Sequence, residues 1–326
     1  MEPRKSAVLF LLLGSEILRS QAGGAITNRL PSPTGAVRIG RVSYHWIDSA
    51  RRELLASMVP SYRELMVDVW YPAETTAGHA PAPYLVDLPA VETLGGQASA
   101  RKQFGAAYER MIEGSLQTHA QEEAVFARGV ALRPVLVFSH GLGVLKTSYT
   151  ALLEDLASNG YVVAAIAHTY DTALVTFPNG RVVRQEQERR RAASGSEHAS
   201  IQYENGRMKV WAADVRFVVD QLTRYDREAE FGAPFQGHLD LARIGTLGHS
   251  SGGRAAGLAC QTARQTGGCA HVSTWMGSPA TCRSIGMCKA KPWHSRFFCS
   301  SVSVIARRRA MRNSAAWDSA ARSCRS

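Results

Sequence analysis

Arg243-Ile244-Gly245-Thr246-Leu247-Gly248-His249-Ser250-Ser251-Gly252-Gly253 is the stretch on which the fold turns. An apolar run ends in Gly248-His249-Ser250-Ser251-Gly252, a fit to G-x-S-x-G, and small residues (Ala255-Ala256-Gly257-Leu258-Ala259) then open a helix. Strand, sharp turn and helix form the context in which this pattern marks a nucleophile elbow, with the serine on a strained turn. Glycines flank the serine because a Cβ at either place would strike the adjoining strand or helix. Ser250 is therefore the candidate nucleophile. Its Oγ is expected above a sheet at a helix N-terminus, where free N–H groups and the helix dipole favour developing negative charge.

Working outward, Pro134-Val135-Leu136-Val137-Phe138-Ser139 is apolar almost throughout, as suits a strand buried on both faces of a parallel sheet. It runs into His140-Gly141-Leu142-Gly143. In folds with an elbow, one oxyanion donor comes from such a glycine-rich loop and the other from the residue after the nucleophile. The N–H groups of Leu142 and Ser251 are the candidate pair. Tyr161 to His168 reads as the next buried strand. His168 and Asp171 fall where it leaves the sheet, the edge at which open α/β sheets take ligands; they either order a loop or touch substrate.

The remaining elements are read more coarsely. Residues 36–46 and 64–71 are expected strands, the second from the alternation of Leu65, Val67, Val69 and Tyr71, stopped by Pro72. Residues 73–100 read as loop, and 101–128 as an amphipathic helix carrying Phe104, Tyr108, Met111 and Ile112. Tyr149 to Ser158 is a helix closed by Asn159-Gly160. Pro178-Asn179-Gly180 signals a hairpin. Residues 184–206 form a charged, lid-like excursion, and Met208 to Leu222 a helix with Val210, Val215, Val218 and Leu222 in a stripe. Alternation of this kind gives an α/β fold with a mostly parallel central sheet flanked by helices.

Charge and cysteine usage divide the chain unevenly. Of the net charge of +11, residues 261–326 carry +10, from eleven basic side chains against Asp318 alone. The body is nearly neutral, which excludes an electrostatic nucleic-acid footprint there. All six cysteines lie at or after Cys260, and no C-x-x-C pair suggests zinc. At the other end, Arg4 and Lys5 precede the apolar run 7–13, and Ser20 and Ala22 offer a cleavage site. Residues 1–22 thus read as a secretory signal, with 23–35 as linker. The expected domain spans 36–262, and 263–326 is an aberrant basic tail whose composition break near codon 260 suggests a change of reading frame.

Arg63-Glu64-Leu65-Met66-Val67-Asp68-Val69-Trp70-Tyr71-Pro72, Val137-Phe138-Ser139-His140-Gly141-Leu142-Gly143, His168-Thr169-Tyr170-Asp171 and Gly248-His249-Ser250-Ser251-Gly252-Gly253 occur in that order. Over roughly residues 36–262 this set resembles the plasma and type II intracellular platelet-activating factor acetylhydrolases. The resemblance implies an α/β-hydrolase fold and calcium-independent hydrolysis of short or oxidised sn-2 acyl groups from phospholipids. It calls for no cofactor or metal. Residue chemistry by itself reaches only serine esterase: Ser250 attacks the ester carbonyl, the two amides hold the oxyanion, and water clears the acyl-enzyme.

The relay is where the sequence departs from the pattern. An elbow serine is followed by an acid and then a histidine. After Ser250 the only carboxylate is Asp318, and His271 and His294 both precede it. The resemblance places the acid near Ser273, before Trp275-Met276. His294 with Asp318 is the out-of-order pair that a divergent enzyme would recruit. Three readings follow: an acetylhydrolase-type esterase with a crippled relay, a cutinase-like or general carboxylesterase, and a non-catalytic hydrolase-fold binder. Partners are a phospholipid or other ester, with the basic tail suited to an anionic lipid surface.

Overall fold

The computed structural model describes residues 29–56, 61–74, 79–85, 116–127, 129, 131–265 and 271–275. Strands β1 (Arg38–Arg52), β2 (Tyr62–Ala73), β3 (Pro81–Pro83), β4 (Gln117–Glu122) and β5 (Arg133–Ser139) come first. Helix α1 (Thr150–Ser158), β6 (Val162–Ala167) and the hairpin β7 (Leu174–Thr176) and β8 (Val182–Arg184) follow. Helices α2 (Glu188–Ala193) and α3 (Glu197–Arg227), then β9 (Leu239–His249), α4 (Ser251–Gln265) and β10 (His271–Trp275), complete the order.

The main sheet runs β10-β9-β5-β6-β2-β1-β4-β3. Its β10-β9-β5-β6 half is parallel, and β2 is antiparallel to both β6 and β1. Every residue of β6 is buried, the signature of a strand covered on both faces. Alternation in β2 divides the two cores. Leu65, Val67, Val69 and Tyr71 share one cluster with Ala212, Val215, Val218 and Leu222 of α3. Trp70 joins Leu153 and Ala157 of α1 on the other side. The parallel strands thus carry their C-terminal ends to one edge, where the loops after β5, β6 and β9 gather.

Asp68 breaks the apolar rule on the α1 side and is compensated. Its carboxylate meets Arg41 at 2.9 Å and Lys146 at 3.0 Å and accepts from Ser43. Burial alone would raise its pKa, but the two cations hold it below the ordinary value. Because Lys146 lies just beyond the 140–143 loop, this pair ties the end of that loop to β2.

Two expectations need correction. Residues 81–83 form β3 inside the span read as loop. Residues 117–122, read as the end of a helix, are β4: Thr118 and Ala120 are buried in alternation, and β4 pairs with both β1 and β3. Period-two burial against two neighbours outweighs helical propensity there. Residues 101–115 lie outside the described residues. The 184–206 stretch is largely helical, since α3 starts at Glu197, where the Ser196 hydroxyl accepts from the Ala199 amide as an N-cap. Residues 31–35 dock against α1: Thr34 donates to Asp155 and Gly35 to the Ser158 hydroxyl. The Pro178-Asn179-Gly180 turn joins β7 to β8, as expected.

Candidate active site

β9 ends at His249, α4 begins at Ser251, and Ser250 between them takes φ of 53°. A left-handed backbone costs a residue with a Cβ roughly 1–2 kcal/mol, so neighbouring packing must enforce it. A Cβ on Gly252 would lie 2.1 Å from the Ser139 carbonyl oxygen and 2.4 Å from that of His140. One on Gly248 would lie 2.5 Å from the Gly252 carbonyl carbon and 2.7 Å from the Ser139 oxygen. The elbow is therefore pressed directly onto the C-terminal end of β5, which leads into the glycine-rich loop.

That loop spends its amides in order. The Gly141 N–H donates to the Tyr149 hydroxyl at 3.2 Å, that of Gly143 to the Asp171 carbonyl at 2.8 Å, and that of Val144 to the Gly141 carbonyl at 3.0 Å. The Leu142 amide makes no such bond among the described residues. Ser251 is the first residue of α4, so its N–H lacks an intrahelical acceptor. Leu142 and Ser251 line one small pocket, together with Tyr203, Glu204, Arg207, Met208 and Arg254. Tyr149 links this loop to the elbow strand. Its hydroxyl lies 2.9 Å from His249 Nδ1, and burial pushes its pKa up to about 12. Burial also lowers the pKa of His249, so the neutral ring accepts a hydrogen bond from the tyrosine hydroxyl.

Behind the loop lies a buried polar network. His140 Nδ1 is 2.7 Å from the Gly141 carbonyl, and its Nε2 is 3.1 Å from the His168 amide. His168 Nδ1 is 2.8 Å from Asp214 Oδ2, and its Nε2 is 3.0 Å from Ser139 Oγ. Arg63 forks onto Asp214 at 2.7 and 3.1 Å and reaches Glu53 at 2.7 Å. Burial opposes charge on Asp214, but Arg63 and His168 hold its pKa far below the carboxylate range. Burial lowers His140 and His168, so both rings stay neutral. Trp211 stacks on His168 at 4.0 Å and donates to Asp171 at 2.6 Å, which also takes Arg207.

Ser139, His168 and Asp214 have the connectivity of a Ser–His–Asp triad, yet all three are 0% exposed. No substrate reaches Ser139, and the chain of bonds serves as scaffolding. His168 and Asp171 accordingly order the loop. The structure brings Ser250, Ser251 and Leu142 to one edge of the sheet, while His294 and Asp318 lie outside the described residues. Ser273, the position the resemblance gives the acid, pairs with Leu247 on β10 beside the elbow strand. Cys260 is disulfide-bonded.

Sequence reasoning missed Arg63, Tyr149, Arg207, Trp211, Asp214 and His249. Arg207, Trp211 and Asp214 follow at spacings of four and three, so they share one face of α3. A polar face among apolar stripe positions was the available signal. Nothing in the sequence pointed to Tyr149, which meets His249 across 100 residues.

The sequence profile of the family described as "Platelet-activating factor acetylhydrolase, isoform II" matches residues 28–278. The platelet-activating factor acetylhydrolase of Bos taurus is 31% identical over 166 residues, covering 43% of this chain and 34% of the relative. That of Gallus gallus is 36% identical over 93 residues, 28% of this chain and 22% of the relative. The chain thus spans about a third or less of the length of these two relatives. Among solved structures, a ferulic acid esterase from Streptomyces cinnamoneus superposes with a TM-score of 0.55 at 30% identity, covering 73% of this chain and 59% of that one.

Proposed function

The chain belongs to the platelet-activating factor acetylhydrolase, isoform II, family, and from that premise we propose that it is a serine carboxylic-ester hydrolase acting on short sn-2 acyl esters of phospholipids. The observation that carries this reading is Ser250 at φ 53°, clamped by Gly248 and Gly252 onto the strand that supplies the Leu142 amide. Ser250 is the nucleophile, and the Leu142 and Ser251 amides receive the oxyanion. Each such donor is worth about 3 kcal/mol, so their common edge accounts for a large part of the barrier reduction.

The proton relay is the weak part of this machinery. With Ser273 at the acid's expected place, the esterase is slow in acyl transfer, and His294 with Asp318 is the out-of-order candidate pair. Phospholipase A2 chemistry, a cleaved signal at 1–22 and contact of the basic tail with anionic lipid complete the proposal. A general or ferulate-type carboxylesterase is the second reading, favoured by the resemblance to the Streptomyces enzyme. A fluorophosphonate probe tests the core of the proposal. Covalent labelling that maps to Ser250 and is lost in Ser250→Ala supports it; an unlabelled, folded protein overturns it. Faster cleavage of a 2-acetyl phospholipid than of methyl ferulate then separates the two ester classes.

A further inference from the structure

We infer that His140 is a positioning residue that sets the direction of the Leu142 oxyanion donor; this rests on the esterase reading above and adds a group outside the reacting atoms. In a trans peptide the C=O and N–H point in opposite directions, so fixing one fixes the other. The Gly141 carbonyl is held by two donors, His140 Nδ1 at 2.7 Å and the Val144 amide at 3.0 Å. The N–H of the same peptide belongs to Leu142 and therefore faces away from this anchor; Leu142 and Ser251 line one pocket. Gly141 lacks a Cβ to restrict the peptide, so loss of the His140 donor leaves only the Val144 amide to hold the carbonyl in place.

The ring has one usable protonation state. A carbonyl only accepts, so His140 Nδ1 carries the proton; the His168 amide only donates, so Nε2 must be bare. His168 is itself held by Asp214 at 2.8 Å and stacked on Trp211, which fixes the amide that selects this tautomer. Protonating His140 would turn Nε2 into a donor against another donor. Groups facing the ring from every side agree with neutrality. His168 and Trp211 pack on it edge-on, and the charges of Lys146 and Arg63 disfavour a cation.

The test compares His140→Leu with His140→Asn, whose amide can still donate to the Gly141 carbonyl. An alkyl trifluoromethyl ketone forms an oxyanion adduct on Ser250, whereas the matching carbinol cannot. In His140→Leu the preference for ketone over carbinol falls at least about tenfold, and His140→Asn restores most of it. A preference within about twofold of wild type in His140→Leu overturns the inference, because a full donor is worth a hundredfold or more. If wild-type protein forms no adduct, the esterase reading fails instead. The positioning role is then judged by crystal structures of the full chain. A turned Gly141–Leu142 peptide in His140→Leu supports it, and an unturned one refutes it.

Discussion

Gly252→Ala places a methyl group where the backbone of β5 already stands. The added Cβ would sit 2.1 Å from the Ser139 carbonyl oxygen, against 3.4 Å for ordinary contact, so α4 must retreat about 1.3 Å. The obstacle is main chain in the middle of the parallel sheet, paired on both sides with β6 and β9, and it cannot rotate away as a side chain would. Overpacking of this kind costs on the order of 1–3 kcal/mol or more. The retreat also separates the Ser251 amide from that of Leu142, and a 1 Å misplacement of reacting groups can cost roughly a hundredfold in rate. Chemical denaturation at pH 7.5 measures the first effect, and the rate of fluorophosphonate labelling at Ser250 measures the second. Wild-type midpoint and labelling rate in Gly252→Ala would falsify the claim that the elbow is clamped onto β5.

Gly206→Ala is the opposite case. A Cβ there meets nothing within 4 Å, inside helix α3, so denaturation should show about 0.4–1 kcal/mol of added stability. Asp214→Asn removes the partner of a buried Arg63 and should cost about 3–5 kcal/mol, whereas the half-exposed Glu204→Gln should stay within about 0.5 kcal/mol. The pKa values of His140, His168 and His249 are lowered on folding, so the unfolded chain binds more protons below pH 6.5. Stability is then complete above that value and declines as pH falls, by up to about 1.4 kcal/mol per pH unit per histidine. A melting temperature that is flat from pH 7.5 to 5.0 would contradict this. Turnover of p-nitrophenyl acetate should be slow and vanish in Ser250→Ala; rapid turnover would show that a competent base is present.

What the sequence determined by itself is local. G-x-S-x-G between an apolar run and small helix formers set the elbow, because only glycine tolerates backbone contact at Gly248 and Gly252. Apolar runs at 134–139 and 162–167 set a sheet buried on both faces, because no polar face remains to meet water. The proposed Leu142 and Ser251 donors follow from loop position alone, since backbone donors do not depend on side-chain type. Tertiary structure decided the rest. β4 is a strand because β1 and β3 flank it, which no window of 101–128 reveals. Asp214, Trp211, His168 and Arg63 form one network only once α3 lies across the ends of β2 and β6. The same chemical letters, Ser, His and Asp, gave a partly exposed elbow at Ser250 and a sealed scaffold at Ser139. Burial separates those two outcomes, and burial is a property of the assembled layers, set by contacts between residues far apart in the chain.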